Sequence, residues 1–163
     1  MVDDVYSSEQ IAKEHSLRYI HIVSRNVVGI LNRICSLMRR KRYNIEDISV
    51  AFDDDNKAHI TLAVDGRILD VQQIIYQINK LHDVFSVNDV TSHHDQIYHA
   101  FYVRAKTRGG SEFKDFPIEP MRIVCDPEGC KGIFMATLMQ AADLSEYLNT
   151  NEFHYIRRII SMI

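Results

Sequence analysis

Residues 17–52 read LRYIHIVSRNVVGILNRICSLMRRKRYNIEDISVAF, and their hydrophobic period changes twice. Leu17 to Ser24 alternates, with Tyr19, His21 and Val23 on one side and Arg18, Ile20 and Ile22 on the other, the two-residue repeat of a strand. From Val28 to Arg42 the apolar residues fall at Ile30, Leu31, Ile34, Cys35, Leu37 and Met38, the spacing of a helix with one buried face. Ile45 to Phe52 returns to alternation, with Ile48, Val50 and Phe52 together. Strand, helix and strand therefore follow one another.

Working outward, Asp53-Asp54-Asp55-Asn56 is a turn, and Lys57 to Val64 alternates again, so this pair reads as a hairpin with a four-residue loop. Asp65-Gly66 breaks the chain. Arg67 to His82 carries Ile68, Val71, Ile75 and Ile78 at helical steps, and Asp83 to Val90 is a further strand. The order β-α-β-β-α-β predicts an α+β fold, a ferredoxin-like unit with one antiparallel sheet and two helices on one face, over residues 17–92. Residues 1–16 read as a polar arm, and Ser92-His93-His94-Asp95 as a joint. Residues 96–163 are expected to form a smaller, diverged α+β domain. Its strands are placed at Ile97 to Ala105, Met121 to Cys125 and Gly132 to Met139, with a short helix near Asp143 to Leu148 and an apolar tail from Tyr155. If it repeats the first unit, its first helix has given way to the Gly- and Pro-punctuated stretch Thr107 to Pro120.

The chain has 163 residues, 46% hydrophobic and 25% charged, with a formal net charge of −3. That balance is ordinary for a globular protein and lacks the basic footprint of a nucleic-acid binder. No apolar run approaches the roughly 18 residues that span a membrane, and the acidic start (Asp3, Asp4, Glu9, Glu14) fits neither a secretory signal nor a transit peptide. Of three cysteines, Cys125 and Cys130 flank a turn at CxxxxC spacing and read as two buried or edge thiols; with Cys35 they point to a reducing compartment, hence the cytoplasm.

Gly29 opens the first helix, Asn26 stands just before it and Asn44 just beyond its far end. A helix start offers unpaired N–H groups with partial positive charge, and carboxamides can donate to a carboxylate or accept from an ammonium. The plainer reading is a cap asparagine, a tight turn and a second turn asparagine; a carboxylate-holding site stands beside it. Arg39-Arg40-Lys41-Arg42 reads as cations at a helix C-terminus, each worth about 0.3–1 kcal/mol, more readily than as a nucleic-acid patch, since no aromatic interleaves. His93, His94, His99 and Asp95 lack the spacing of a zinc site, and Asp53 to Asp55 that of a calcium loop, so no metal or cofactor is expected.

The run NVVGILNRICSLMRRKRYNIEDISVA resembles the opening of the ACT domain in regulatory small subunits of acetohydroxyacid synthase (acetolactate synthase), where N-x-x-G-x-L-x-R-I/V leads into R-x-Y-N-I-E. The likeness covers roughly Leu17 to Val90 and reaches into Ile97 to Lys106. It implies a non-catalytic subunit that binds a thiamine-diphosphate-dependent catalytic subunit in valine, leucine and isoleucine biosynthesis and confers feedback inhibition by valine or another branched-chain amino acid. It also implies a homodimer with effector at the shared interface. Asn26 and Gly29 would hold the effector, with Val28 and Ile30 beside the glycine; Asn44 would arrive from the paired copy, and Ala51 would line the apolar side. Val28 stands where proline often precedes the glycine, and the family's glycine- and arginine-rich ending is absent from this sequence.

This topology hosts many functions. An RNA-recognition module would carry aromatics on the third strand, and Lys57 to Val64 has none. A metallochaperone would carry a cysteine pair in the first loop, and an acylphosphatase-like enzyme a glycine-rich cradle; Ser24 to Gly29 has neither. A stand-alone ACT-type amino-acid sensor, or a plain dimerisation module, remains the alternative.

Overall fold

Strand β1 (Leu17–Arg25) lies inside a four-stranded antiparallel sheet of order β2-β3-β1-β4, and Tyr19, Ile20, His21 and Ile22 along it are all buried. The computed structural model describes residues 16–67, 70–92, 97–105 and 113–161. Residues 1–15 of the expected arm, all of the Ser92–Asp95 joint but Ser92, and Ile68 lie outside them. The chain divides into two compact units, whose described parts are residues 16–92 and 97–161.

In the first unit, β2 (Asp47–Phe52), β3 (Lys57–Asp65) and β4 (Val84–Asp89) complete the sheet, with α1 (Ile30–Arg40) and α2 (Val71–Asn79) as its helices. Register follows the alternation: Ile20 faces Leu62, Ile22 faces Ile60, and Val50 faces Ile60 from the other side. These side chains meet Ile34, Leu37 and Met38 of α1 and Ile74 and Ile78 of α2 in one core. Leu31 and Cys35 share the helical spacing but are exposed, so the buried stripe of α1 is narrower than the sequence pattern implied. The second helix begins at Val71, not Arg67. Arg67 is held by the Asp65 carboxylate through Nε at 3.0 Å and Nη2 at 2.7 Å, and Asp70 caps the helix by accepting from Gln73 N–H.

The second unit contains β5 (Ile97–Ala105), β6 (Arg122–Asp126), β7 (Gly129–Thr137), α3 (Leu138–Thr150) and β8 (His154–Ser161). Its sheet order, β6-β7-β5-β8, repeats that of the first unit strand for strand. The described residues hold no α-helix between β5 and β6. In its place Phe113, Phe116 and Ile118 pack against Phe101, Phe134 and Leu144. The expected short helix is 13 residues long, started by a capping box in which Thr137 and Gln140 satisfy each other's backbone N–H groups. The apolar tail is strand β8, paired antiparallel with β5.

The cysteine expectation is corrected. Cys125 and Cys130 face each other across β6 and β7 and form a disulfide, so they are not two thiols and give no support to a reducing compartment. Cys35 is a free, exposed thiol.

Candidate functional site

The loop between β1 and α1 is pinned by backbone bonds from several directions. Arg25 N–H donates to Asp83 C=O at 2.8 Å, and Asn26 N–H to Asn56 C=O at 3.2 Å. Asp83 also pairs through its carboxylate with Arg33 of α1 at 2.7 Å. Val27 N–H and Ile30 N–H close small turns onto Arg25 and Val27. The helix start is thereby held to Asp83, just before β4, and to the β2–β3 turn without using the amides of Leu31 and Asn32.

Gly29 sits at φ 85°, ψ 2°, the left-handed region that β-carbon sterics deny to most residues. A Cβ there would meet nothing within 4 Å, so the glycine is required by conformation and the space beside it is open. No side chain caps α1, and its first turn contains no acidic residue. Among the described residues the N–H groups of Leu31 and Asn32 find no backbone acceptor outside the helix. They therefore present partial positive charge to whatever approaches. Val28, beside them, is fully exposed at 103%.

Asn26 donates its carboxamide to Asn56 Oδ1 at 3.0 Å, which orients it at the helix start. Asn56 is the residue missed by sequence reasoning; it stands in the β2–β3 turn with φ 59°, and its place among the turn residues was its one signal. Ile30 contributes only backbone, because its side chain lies in the core. Asn44 and Ala51 are elsewhere within one chain. Asn44 lies past the far end of α1, whose eleven residues at about 1.5 Å each span roughly 16 Å, and donates to Glu46 Oε1 at 2.8 Å. Ala51 pairs with His59, on the sheet face opposite Val50 and Phe52. One chain thus gathers Asn26, Val28, Gly29 and the Ile30 backbone, and leaves Asn44 and Ala51 apart.

Val28, Leu31 and Cys35 follow helical steps along the exposed side of α1, and Ile48 and Phe52 are exposed on β2, an edge strand. At the other end of α1, Arg39, Arg40, Lys41 and Arg42 are all exposed. The buried titratable groups are elsewhere: His21 stacks on His59 with centroids 5.4 Å apart, and burial, then His59, lowers its pKa. His99, counted above among candidate metal ligands, is buried in the second unit and accepts from Arg157 Nε at 3.1 Å.

The model of the AHAS small subunit-like ACT domain matches residues 20–86, which contain this loop and both helices of the first unit. The chain is 36% identical over 76 residues to the acetolactate synthase isozyme 1 small subunit of Escherichia coli K12, a match covering 45% of this chain and 76% of that protein. It is 34% identical over 73 residues to a probable acetolactate synthase small subunit of Archaeoglobus fulgidus, covering 44% of this chain and 46% of the relative. With the acetolactate synthase small subunit of Bacillus subtilis it shares 36% identity over 78 residues, covering 46% of this chain and 45% of that one. The match therefore spans less than half the length of these last two relatives. The crystal structure of the acetolactate synthase small subunit from Thermotoga maritima superimposes with a TM-score of 0.67 over 90% of this chain and 96% of that one, at 16% identity, so the fold of both units is shared. Sequence over the first unit and fold over both agree, and the chain belongs to the acetolactate synthase small-subunit family through an ACT domain.

Proposed function

We propose that this chain is a non-catalytic regulatory subunit. In this reading it binds a branched-chain amino acid where two copies meet, and modulates a thiamine-diphosphate-dependent acetohydroxyacid synthase catalytic subunit in the cytoplasm. The observation that carries the proposal is the open start of α1: a left-handed Gly29, the Leu31 and Asn32 amides without a backbone acceptor, and no side chain capping them. A zwitterion suits such a place. Its carboxylate accepts from the Leu31 and Asn32 amides, and its side chain rests on Val28. Its ammonium needs an acceptor, and the Asn44 oxygen of a second copy is available because the Asn44 nitrogen is committed to Glu46. The apolar edge of α1 and β2 supplies the surface on which the second copy would sit, relieving an exposed edge strand. A coupling of about 1–3 kcal/mol to the catalytic subunit is enough for regulation. One methylene in the effector discriminates by only about 1–3 kcal/mol, so valine, leucine and isoleucine compete for the same site within that range.

Isothermal titration of the intact chain with valine is expected to show saturable binding, weakened at least about tenfold, or about 1.4 kcal/mol, by Asn26→Ala. Equal binding by both proteins would remove the site from this loop. Leu31→Glu places a charge on the proposed interface and is expected to convert a dimer to a monomer in sedimentation velocity while the far-ultraviolet circular dichroism of the folded chain is unchanged. A dimer that survives the change places the contact elsewhere. Co-purification separates regulatory subunit from stand-alone sensor: the first retains the thiamine-diphosphate enzyme and the second binds amino acid alone.

A further inference from the structure

The Cys125–Cys130 disulfide joins two residues only five apart in sequence, on strands already laced by the pairs Asp126–Gly129, Val124–Lys131, Ile123–Gly132 and Arg122–Ile133. The entropy removed by a cross-link grows with the loop it closes, so a bond across so short a hairpin restrains the unfolded chain little. Its placement is more telling. β6 is an edge strand of its sheet and, among the described residues, pairs with β7 alone. Arg122, Ile123, Val124 and Cys125 are all exposed, whereas Cys130 is fully buried with Phe134 in the core. One end of the bond is thus open to solvent and the other seated in apolar packing.

We infer that this bond is a thiol–disulfide exchange site, opened by a dithiol reductant, and that its state decides whether β6 stays on the sheet. The reductant's thiolate attacks Cys125 Sγ, the reachable sulfur; the S–S bond breaks and Cys130 leaves as a thiolate that takes a proton from solvent. The second thiol of the reductant then attacks its own sulfur in the mixed disulfide and releases Cys125 as a thiolate. The reductant departs as a disulfide, and two electrons have passed to the protein. Two thiols need full van der Waals separation where one bond stood. Cys130 is fixed by the core, so β6, held by a single ladder, is the part that yields.

The test uses the full native chain treated with dithiothreitol, alkylation counted by mass, and amide hydrogen exchange. Two alkylatable thiols beyond Cys35 are expected without denaturant. Exchange over residues 122–126 should speed up by about tenfold or more while β5 is unchanged. Cys125→Ser should show the same faster exchange without reductant. Opening only in denaturant, opening with unchanged exchange over 122–126, or three thiols persisting in oxidised glutathione would each overturn the inference.

Discussion

Phe134→Ala is expected to lower the stability of the second unit by about 3–5 kcal/mol, read as a fall in the urea midpoint at unchanged slope. Phe134 is fully buried on β7. Its ring stacks on Phe116 with centroids 4.8 Å apart and meets Phe113 edge-on at 5.7 Å. Phe116 in turn touches Tyr147 at 5.0 Å and Phe153 at 5.1 Å. Removing this ring takes one partner from the contacts with Phe116 and Phe113 and leaves a cavity walled by those aromatics. Gly132 adds a second handle, because a Cβ there would lie 2.8 Å from Phe134 and 3.2 Å from Phe113. A loss under about 1 kcal/mol for Phe134→Ala would show that the aromatic cluster does not replace a helix in covering this sheet.

The second large effect is acid lability from His99. Burial, then the Arg157 guanidinium, pushes its pKa from 6.5 down to about 3. The folded chain therefore keeps this imidazole neutral, with Nδ1 accepting from Arg157, while the unfolded chain protonates it near its ordinary value. The associated stability is fully present above about pH 6.5 and is lost as pH falls toward 3, at up to about 1.4 kcal/mol per pH unit. His21 shifts in the same direction. The carboxylates of Asp65 and Asp89, held low chiefly by Arg67 and Thr91 respectively, act only below about pH 4. Urea titrations between pH 7 and pH 4.5 isolate the imidazoles. His99→Gln, which keeps an acceptor for Arg157, is expected to flatten most of that slope. A slope equal to that of the parent chain would mean that His99 is protonated in the folded state.

The first unit was legible because its two periods are clean: Ile20/Ile22 and Ile60/Leu62 alternate, whereas Ile30, Ile34, Leu37 and Met38 follow helical steps. Gly29 was legible because a left-handed helix start demands glycine. What escaped depended on partners distant in sequence. The start of α2 is a local exception: Asp70 caps it by accepting from Gln73 N–H, a signal that apolar periodicity does not register. β8 read as a tail because a strand is recognised by its neighbour, and β5 lies some fifty residues earlier in the chain. The cover provided by Phe113 and Phe116 was hidden in a stretch read for its glycines and prolines. The disulfide escaped because spacing alone does not say which residues a hairpin sets opposite each other. Asn26 and Gly29 lie together at the start of α1, whereas Asn44 and Ala51 lie apart from them within one chain.

The matching strand orders have a consequence for stoichiometry. A sheet order that occurs twice in one polypeptide has the form of a duplication, but among the described residues the first unit alone shows a helix after its opening strand, with the Leu31 and Asn32 amides open at its start. Under the proposed function a saturated sample is expected to hold one amino acid per polypeptide, counted by equilibrium dialysis, so the repetition of the sheet order does not carry over to ligand occupancy.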